Sequence, residues 1–428
     1  MEELRDLSRS KIDRTGQRAW EPEMQMRRWS GLWLVLPVVV SVALAGCKGF
    51  WDLPTGSGSG GGGTTPTTLS SGPFYVVDQT TKQIAGYAIS SGTLEALSGS
   101  PYAVPAAPAC IAVAPGGGFL YVGTLNGIYL YTIASDGSLT LANGNAAIST
   151  DIAAAMVVSG SWLVDAFPTS SGVQMNAIPI DSSTGLYAGS GGAPPFEAFD
   201  ISSATVKQMV LSPDGNNLFL ALGAAGTIVI PFSTGSANPV GTTATTIGLV
   251  NSSGSALSVA VDPTNRVFYI GETLANSSGN SGGLRVFNYS SLGTGTRRSL
   301  PTQISGSPIA SGGLSPNAIL PIASGDYVYV ANGAGTTAGG DVAWFPISVS
   351  GTTYTIAAGS SAASGIQPIG LAEDNEDNFV LAVSTGGSTS SGDPDLEAYT
   401  MSSGALTAAI SSKTGTDPVG AVAIAAAP

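Results

Sequence analysis

A short strand pattern recurs seven times along this chain, and that repetition limits the fold more than any other feature. Each copy runs through aromatic or apolar residues into a small or polar one. The copies read FYVVD (74–78), LYVGT (120–124), SWLVD (161–165), FLALG (219–223), FYIGE (268–272), VYVAN (328–332) and VLAVS (380–384). A unit of this size cannot bury its apolar face alone and must stack on its neighbours. A second pattern precedes six of the copies and also closes the chain. It reads CIAVAP (110–115), AAAMVVS (153–159), QMVLSP (208–213), SVAVDP (258–263), AILPIA (318–323), GLAEDN (370–375) and GAVAIA (420–425). These segments are apolar and rich in small residues, as strands covered on both faces are. Pro108, Pro316, Pro368 and Pro418 mark the start of four of them, where a missing N–H is tolerated.

A third, alternating strand follows the first repeat, as in GIYLYTI (127–133), LRVFNY (284–289), DVAWFPI (341–347) and DLEAYTM (395–401). A fourth begins after glycine turns, as in SGTLEAL (91–97), DGSLTLA (136–142), TGLYAGS (184–190) and SGALTAA (402–408). Turn chemistry punctuates the rest, in PDGNN (213–217), DPTN (262–265) and ASGD (323–326). Only 10% of residues are charged and 58 are glycine, which favours strands and turns over helices. Four antiparallel strands per repeat, seven times over, predict an all-β, seven-bladed β-propeller. The chain starts on the second strand of a blade and ends on a first strand. The C-terminal strand can therefore join the first blade and close the ring, removing an exposed sheet edge. A β-helix solenoid is the alternative, but its repeats are shorter and need no such offset.

There is no histidine in the 428 residues. That excludes Ser-His-Asp and Cys-His catalysis, His-ligated zinc and an imidazole pH switch. Lys plus Arg is 15 against 28 Asp plus Glu, a net charge of −13, so a nucleic-acid partner is not expected. No cofactor is expected. EDNEDN (373–378) and DPDLE (393–397) offer hard oxygen ligands, but no calcium-loop spacing surrounds them, so they read as solvated turns and no metal is expected.

The N-terminus carries targeting signals. Arg27 and Arg28 precede the apolar run Gly31–Ala45, which is too short for a lasting membrane span. Leu44-Ala45-Gly46-Cys47 resembles the bacterial lipobox. That resemblance implies a signal peptide over 1–46, with translation starting at Met24 or Met26, and a diacylated Cys47 anchored in a membrane. Residues 47–72 are Gly-, Ser- and Thr-rich and read as a flexible leash. The propeller then occupies 73–428. With Cys47 acylated, Cys110 has no disulfide partner and reads as a buried thiol. Lys48, not Asp, follows the cysteine, so the sorting rules of such lipoproteins imply an extracytoplasmic protein of the outer membrane or cell surface. A closed propeller needs no partner to fold, and a monomer is expected.

The repeats resemble the seven-bladed lactonase family of propellers, relatives of 6-phosphogluconolactonase, and the broader YVTN-type surface propellers. Gly99-Ser100-Pro101-Tyr102, Gly306-Ser307-Pro308, the block 108–124 and SPDGNNLFLALG (212–223) carry the likeness, which spans 73–428. It implies either lactone hydrolysis or a module binding a small molecule, glycan or protein. The sugar-phosphate activity is the least expected version. From residue 73 on the cations are only Lys82, Lys207, Arg266, Arg285, Arg297, Arg298 and Lys413, and a phosphosugar needs several converging.

The second-strand copies end on Asp78, Thr124, Asp165, Gly223, Glu272, Asn332 and Ser384, toward the face that hosts sites in propellers. The longest following loops, 273–283, 333–340 and 385–394, offer an asymmetric rim there. A lactone hydrolase without histidine needs a carboxylate base for water and a donor for the developing oxyanion. Glu272 as base, Arg285 as oxyanion stabiliser and Asn332 as orienting donor form the expected catalytic trio. Asp78, Asp165 and Lys207 are the expected binding residues on the same face. The competing reading is that these side chains merely end strands and satisfy loop backbone groups.

Overall fold

The seven repeated segments each form the second strand of a four-stranded antiparallel blade in the computed structural model. The structure describes residues 69–189, 193–276, 281–294, 297–333, 339–351, 353–385, 395–412 and 421–428. Cys47, the signal peptide and the leash up to residue 68 lie outside the described residues, as do Pro418, Lys413 and parts of the three long loops. No described helix is long and apolar enough to cross a membrane.

The first strands surround the axis. They are Pro108–Val113, Ala155–Ser159, Gln208–Leu211, Ala256–Val261, Ser315–Pro321 and Pro368–Glu373 for blades 2 to 7, with Ala421–Ala426 serving blade 1. That last strand pairs antiparallel with Phe74–Asp78, matching Phe74 to Ala426 and Val76 to Ile424, and so closes the ring. A register shift recurs near the starts of first strands, and in three of them it coincides with a proline. Pro108, Pro316 and Pro368 each sit at a register shift, where the ring nitrogen has no ladder bond to give.

Blades stack through apolar faces. Val77, Leu120 and Val122 of blades 1 and 2 share one cluster, and Val164, Leu218 and Ile230 of blades 3 and 4 share another. Burying a large apolar side chain contributes about 1.5–3 kcal/mol, so this stacking is the main favourable term. The tyrosines of the second strands add a directional tie. Tyr75, Tyr121 and Tyr329 are wholly buried, and their hydroxyls donate to the carbonyls of Gly137 (2.7 Å), Gly185 (2.9 Å) and Gly404 (3.0 Å). Each acceptor is the glycine of the third-to-fourth-strand turn in the next blade. Gly404 shows why glycine is needed: its φ is +78°, and a Cβ would lie 1.9 Å from the Tyr327 ring. Tyr269 instead bonds the hydroxyl of Tyr354, on an extra hairpin of blade 6.

One sequence expectation is corrected. The fourth strand of blade 3 is Phe196–Phe199, not residues 184–190. Tyr187 makes only an isolated bridge to Ile180, because residues 181–185 already form a tight turn around the Asp181 carboxylate. Residues just before Pro73 also bond the propeller. Ser71 N–H bonds the Ile89 carbonyl, Gly92 N–H bonds Leu69, and Gly72 N–H bonds Asn375.

Strand direction defines two faces. First strands run from the face bearing the blade-to-blade connectors, here called the top, to the bottom. The second strands end at the top, so Asp78, Thr124, Asp165, Glu272, Asn332 and Ser384 share that end. Residues 69–73 and 427–428 lie at the bottom, beside the blade 7 turn at 374–378 and Gly117.

Candidate functional site

The axial channel opens where the first strands start. It holds a cavity of about 210 Å³ lined by residues from the first strands or strand starts of blades 1, 2, 3, 4, 6 and 7. Most of the lining is Ala, Ile, Met and Val. The strands enter the axis at their starts and crowd there, so small and apolar side chains fit. Its polar groups are Lys207, Gln208 and Asn317. Gln208 Oε1 accepts the Val259 N–H at 2.9 Å, and Asn317 Nδ2 donates to the Pro368 carbonyl at 2.9 Å. Both amides are thus held by neighbouring first strands. Lys207 is exposed, is the only charged residue lining the cavity, and makes no ion pair among the described residues.

Glu272 and Arg285 come together, but not in the cavity. Glu272 is 1% exposed, and its Oε1 accepts Arg285 Nη1 at 2.5 Å. Glu272 Oε2 also accepts the Val250 N–H at 3.0 Å, and Arg285 Nη1 donates to the Gly248 carbonyl at 2.6 Å. The guanidinium lies 4.9 Å from the centre of the Phe287 ring. Adjacent strands place the pair, because Glu272 faces Gly283 and Arg285 faces Ile270. A carboxylate this enclosed and neutralised is held as a structural clasp on the connector into blade 5.

Asn332 joins neither. Its Nδ2 donates to the Ser311 carbonyl (2.7 Å) and to Asp341 Oδ1 (2.9 Å). Burial raises the Asp341 carboxyl above the ordinary range, and the Asn332 amide partly offsets that. Asp78 is wholly buried, and its Oδ1 accepts the N–H groups of Thr80 (2.8 Å) and Thr81 (2.9 Å) in its own loop. Asp165 is also wholly buried, on the interface between blades 2 and 3. Of the six residues expected at the site, Lys207 alone lines the channel.

The sequence reading missed Gln208 and Asn317, although both stand at first-strand starts beside Lys207 and Pro316. It also missed Asp151 and Asp341, the acidic neighbours of Asp165 and Asn332. Their connector and third-strand positions carry no repeated signal. Cys110 is buried with its thiol toward the Ala153 carbonyl (3.4 Å), and burial, then the Asp165 charge, pushes it up to about 12. It is no nucleophile at neutral pH. In EDNEDN, the Asp374 carboxylate accepts the N–H groups of Glu376, Asn378 and Phe379, which makes it a turn former. No group of three or more acidic or cysteine side chains among the described residues is placed to hold a metal.

No protein-family model matches the chain, and no curated protein matches it. Solved structures do. A 6-phosphogluconolactonase-like protein of Bacteroides uniformis superposes with a TM-score of 0.59 at 17% identity, over 82% of this chain and 98% of that one. A second such protein, from Bacteroides fragilis, gives 0.58 at 14%, over 85% and 99%. The periplasmic gluconolactonase of Pseudomonas aeruginosa gives 0.59 at 16%, over 84% and 100%. At these identities the likeness speaks for architecture, and the chain is a seven-bladed β-propeller whose structural neighbours include lactonase-like proteins.

Proposed function

We propose that this propeller is a membrane-tethered binding module whose top-face channel takes a small ligand with an anionic group. The observation that carries this reading is Lys207, an exposed and unpaired cation among the described residues at the mouth of an otherwise uncharged cavity. In a chain of net charge −13 a lone cation in a concave site attracts negative groups locally. The Gln208 and Asn317 side chains supply amide groups nearby. Leu125, Ile152, Val250 and Leu314 are exposed on the top-face loops around the first-strand starts. Exposed apolar residues grouped at one rim suit the carbon skeleton of the same ligand. Tethering fits this polarity. The described chain enters the domain at the bottom, opposite the channel mouth, so a tether there would leave the mouth unobstructed.

The test is calorimetric titration of the full chain with a medium-chain carboxylate and the matching alcohol. Binding of the acid alone, lost in Lys207→Met, supports the reading. Equal behaviour of both compounds sinks it. Radiolabelled palmitate incorporation that Cys47→Ala abolishes tests the tether separately.

The lactonase-like neighbours favour a second reading, hydrolysis of an extracytoplasmic lactone, whose product is itself a carboxylate. Against it, no carboxylate among the described residues lines the cavity to activate water. Proton release on a panel of γ- and δ-lactones decides. Turnover that Glu272→Gln abolishes without loss of fold would restore the hydrolase.

A further inference from the structure

Two blades fasten the end of their second strand to the connector that enters the same blade, and a third brings two carboxylates together there. Blade 5 uses Glu272, which takes Val250 N–H from the connector while Arg285 takes the Gly248 carbonyl. Blade 6 uses Asn332, whose amide donates to the Ser311 carbonyl. In blade 3 the corresponding residue is Asp165, and the connector presents Asp151 within hydrogen-bonding reach. Asp165 is 0% exposed, and neither of its oxygens has a well-formed hydrogen bond; the Asn176 N–H across the ladder offsets its burial only in small part. A bare buried carboxylate is too costly to persist, and such groups neutralise instead.

Among the described residues the surroundings offer little else to neutralise it. On the blade 2 side stands the Cys110 thiol, already committed to the Ala153 carbonyl. On the third strand Asn176 faces Asp165 in register, with its own Oδ1 taken by Gln174. The first strand places Met156 opposite. On the connector Ser149 donates its hydroxyl to Asp151 Oδ2 at 2.5 Å. Among the described residues no Lys or Arg acts on Asp165. Burial first, and Asp151 second, push its carboxyl up to about 8.

We propose that one proton shared between Asp165 and Asp151 closes the connector into blade 3, and that its loss loosens that connector at the channel mouth. The Asp165 hydroxyl donates to an Asp151 carboxylate oxygen. On deprotonation the proton passes to solvent, and two negative charges are left face to face. The connector carries exposed Ile152 and runs into Ala154 and Ala155, which line the cavity, so the mouth responds directly. This holds whether the channel binds or hydrolyses its ligand.

The sign of the pH dependence follows from the raised carboxyl. The folded protein keeps a proton that the unfolded chain releases near the ordinary aspartate value. Stability from this group is complete below that value, falls as pH rises, and levels off near pH 8. The slope is roughly tenfold in the folding constant per pH unit. Asp165→Asn places a permanent amide donor there, as Asn332 does in blade 6. The experiment measures denaturant stability of the full chain and hydrogen exchange of residues 149–154, from pH 5 to pH 9, for wild type, Asp165→Asn and Asp151→Asn. Both variants are expected to lose the slope, and Asp165→Asn to keep the connector protected at pH 9 where wild type opens. Asp151→Asn keeps the test decisive if the first variant folds poorly. Parallel profiles for all three proteins overturn the proposal. So does calcium that closes the wild-type connector at pH 9 but leaves Asp165→Asn unaffected, because a cation and not a proton would then complete the clasp.

Discussion

The two ends of this propeller are built on opposite plans. At the bottom one device repeats: a buried second-strand tyrosine reaches the turn glycine of the next blade, at Tyr75, Tyr121 and Tyr329. At the top the equivalent strand ends follow several plans. Asp78 holds its own loop, Glu272 pairs with Arg285, Asn332 pairs with Asp341, and Asp165 faces Asp151. Repetition at one end serves stacking, which every blade must achieve alike. Variety at the other shows where neighbouring blades are free to differ, and the channel opens there. Blade 5 departs from the tyrosine device at the bottom: Tyr269 meets the Tyr354 hydroxyl, and Arg266, bidentate on Asp262, lies over the Tyr354 ring.

If stacking is shared by all blades, opening the ring must cost more than any top-face change. Removing residues 421–428 deletes the first strand of blade 1 and bares the edge of Phe74–Asp78. The expected loss rivals the whole stability of a domain, about 5–15 kcal/mol. Circular dichroism and gel filtration should show a collapsed or aggregated chain. A truncated protein that melts cooperatively as a monomer would mean that the blades stack without closure.

The top-face clasps come next. Glu272→Ala leaves Arg285 buried beside Phe287 without its partner, and should cost about 3–5 kcal/mol. Replacing both residues with leucine should cost far less, because the orphaned charge is gone. A double-mutant cycle in urea measures the difference. Equal cost for the single and double variants would show that the pair acts only by packing, and would erase the contrast drawn here between clasp and tie.

The bottom was far more legible in the sequence than the top. The second strands, the ring closure and the turns follow from patterns repeated along the chain. A contact that recurs leaves a period that can be read. The top-face residues were found as a column, because strand ends align, yet their partners were not. Arg285 lies two residues along the neighbouring strand from its blade's Gly283, so its meeting with Glu272 could be anticipated. Asp151 and Asp341 answer to no period, and only the folded backbone brings them to Asp165 and Asn332. The cavity lining was missed for a related reason. First-strand starts are uniformly small and apolar, so Gln208 and Asn317 stand out only once the axis is known. The fourth strand of blade 3 was misplaced because TGLYAGS has the turn glycine and the aromatic of a strand start, whereas FEAF follows a long irregular loop.

The smallest predicted effect is also the sharpest test of repetition. Tyr121→Phe removes one hydroxyl and keeps the ring, so the apolar stack between blades 2 and 3 survives. What is lost is the donor to the Gly185 carbonyl, and the change should cost about 1 kcal/mol. Because Tyr75 and Tyr329 make the same bond to Gly137 and Gly404, each of their phenylalanine variants should cost a similar amount. These sites sit in different blades and share no partner, so the triple variant should show the sum. Urea midpoints at constant slope would give all four values. A marked excess in the triple variant would mean that the tyrosines lock the ring jointly, and the bottom would then be a single cooperative belt instead of one local tie copied from blade to blade.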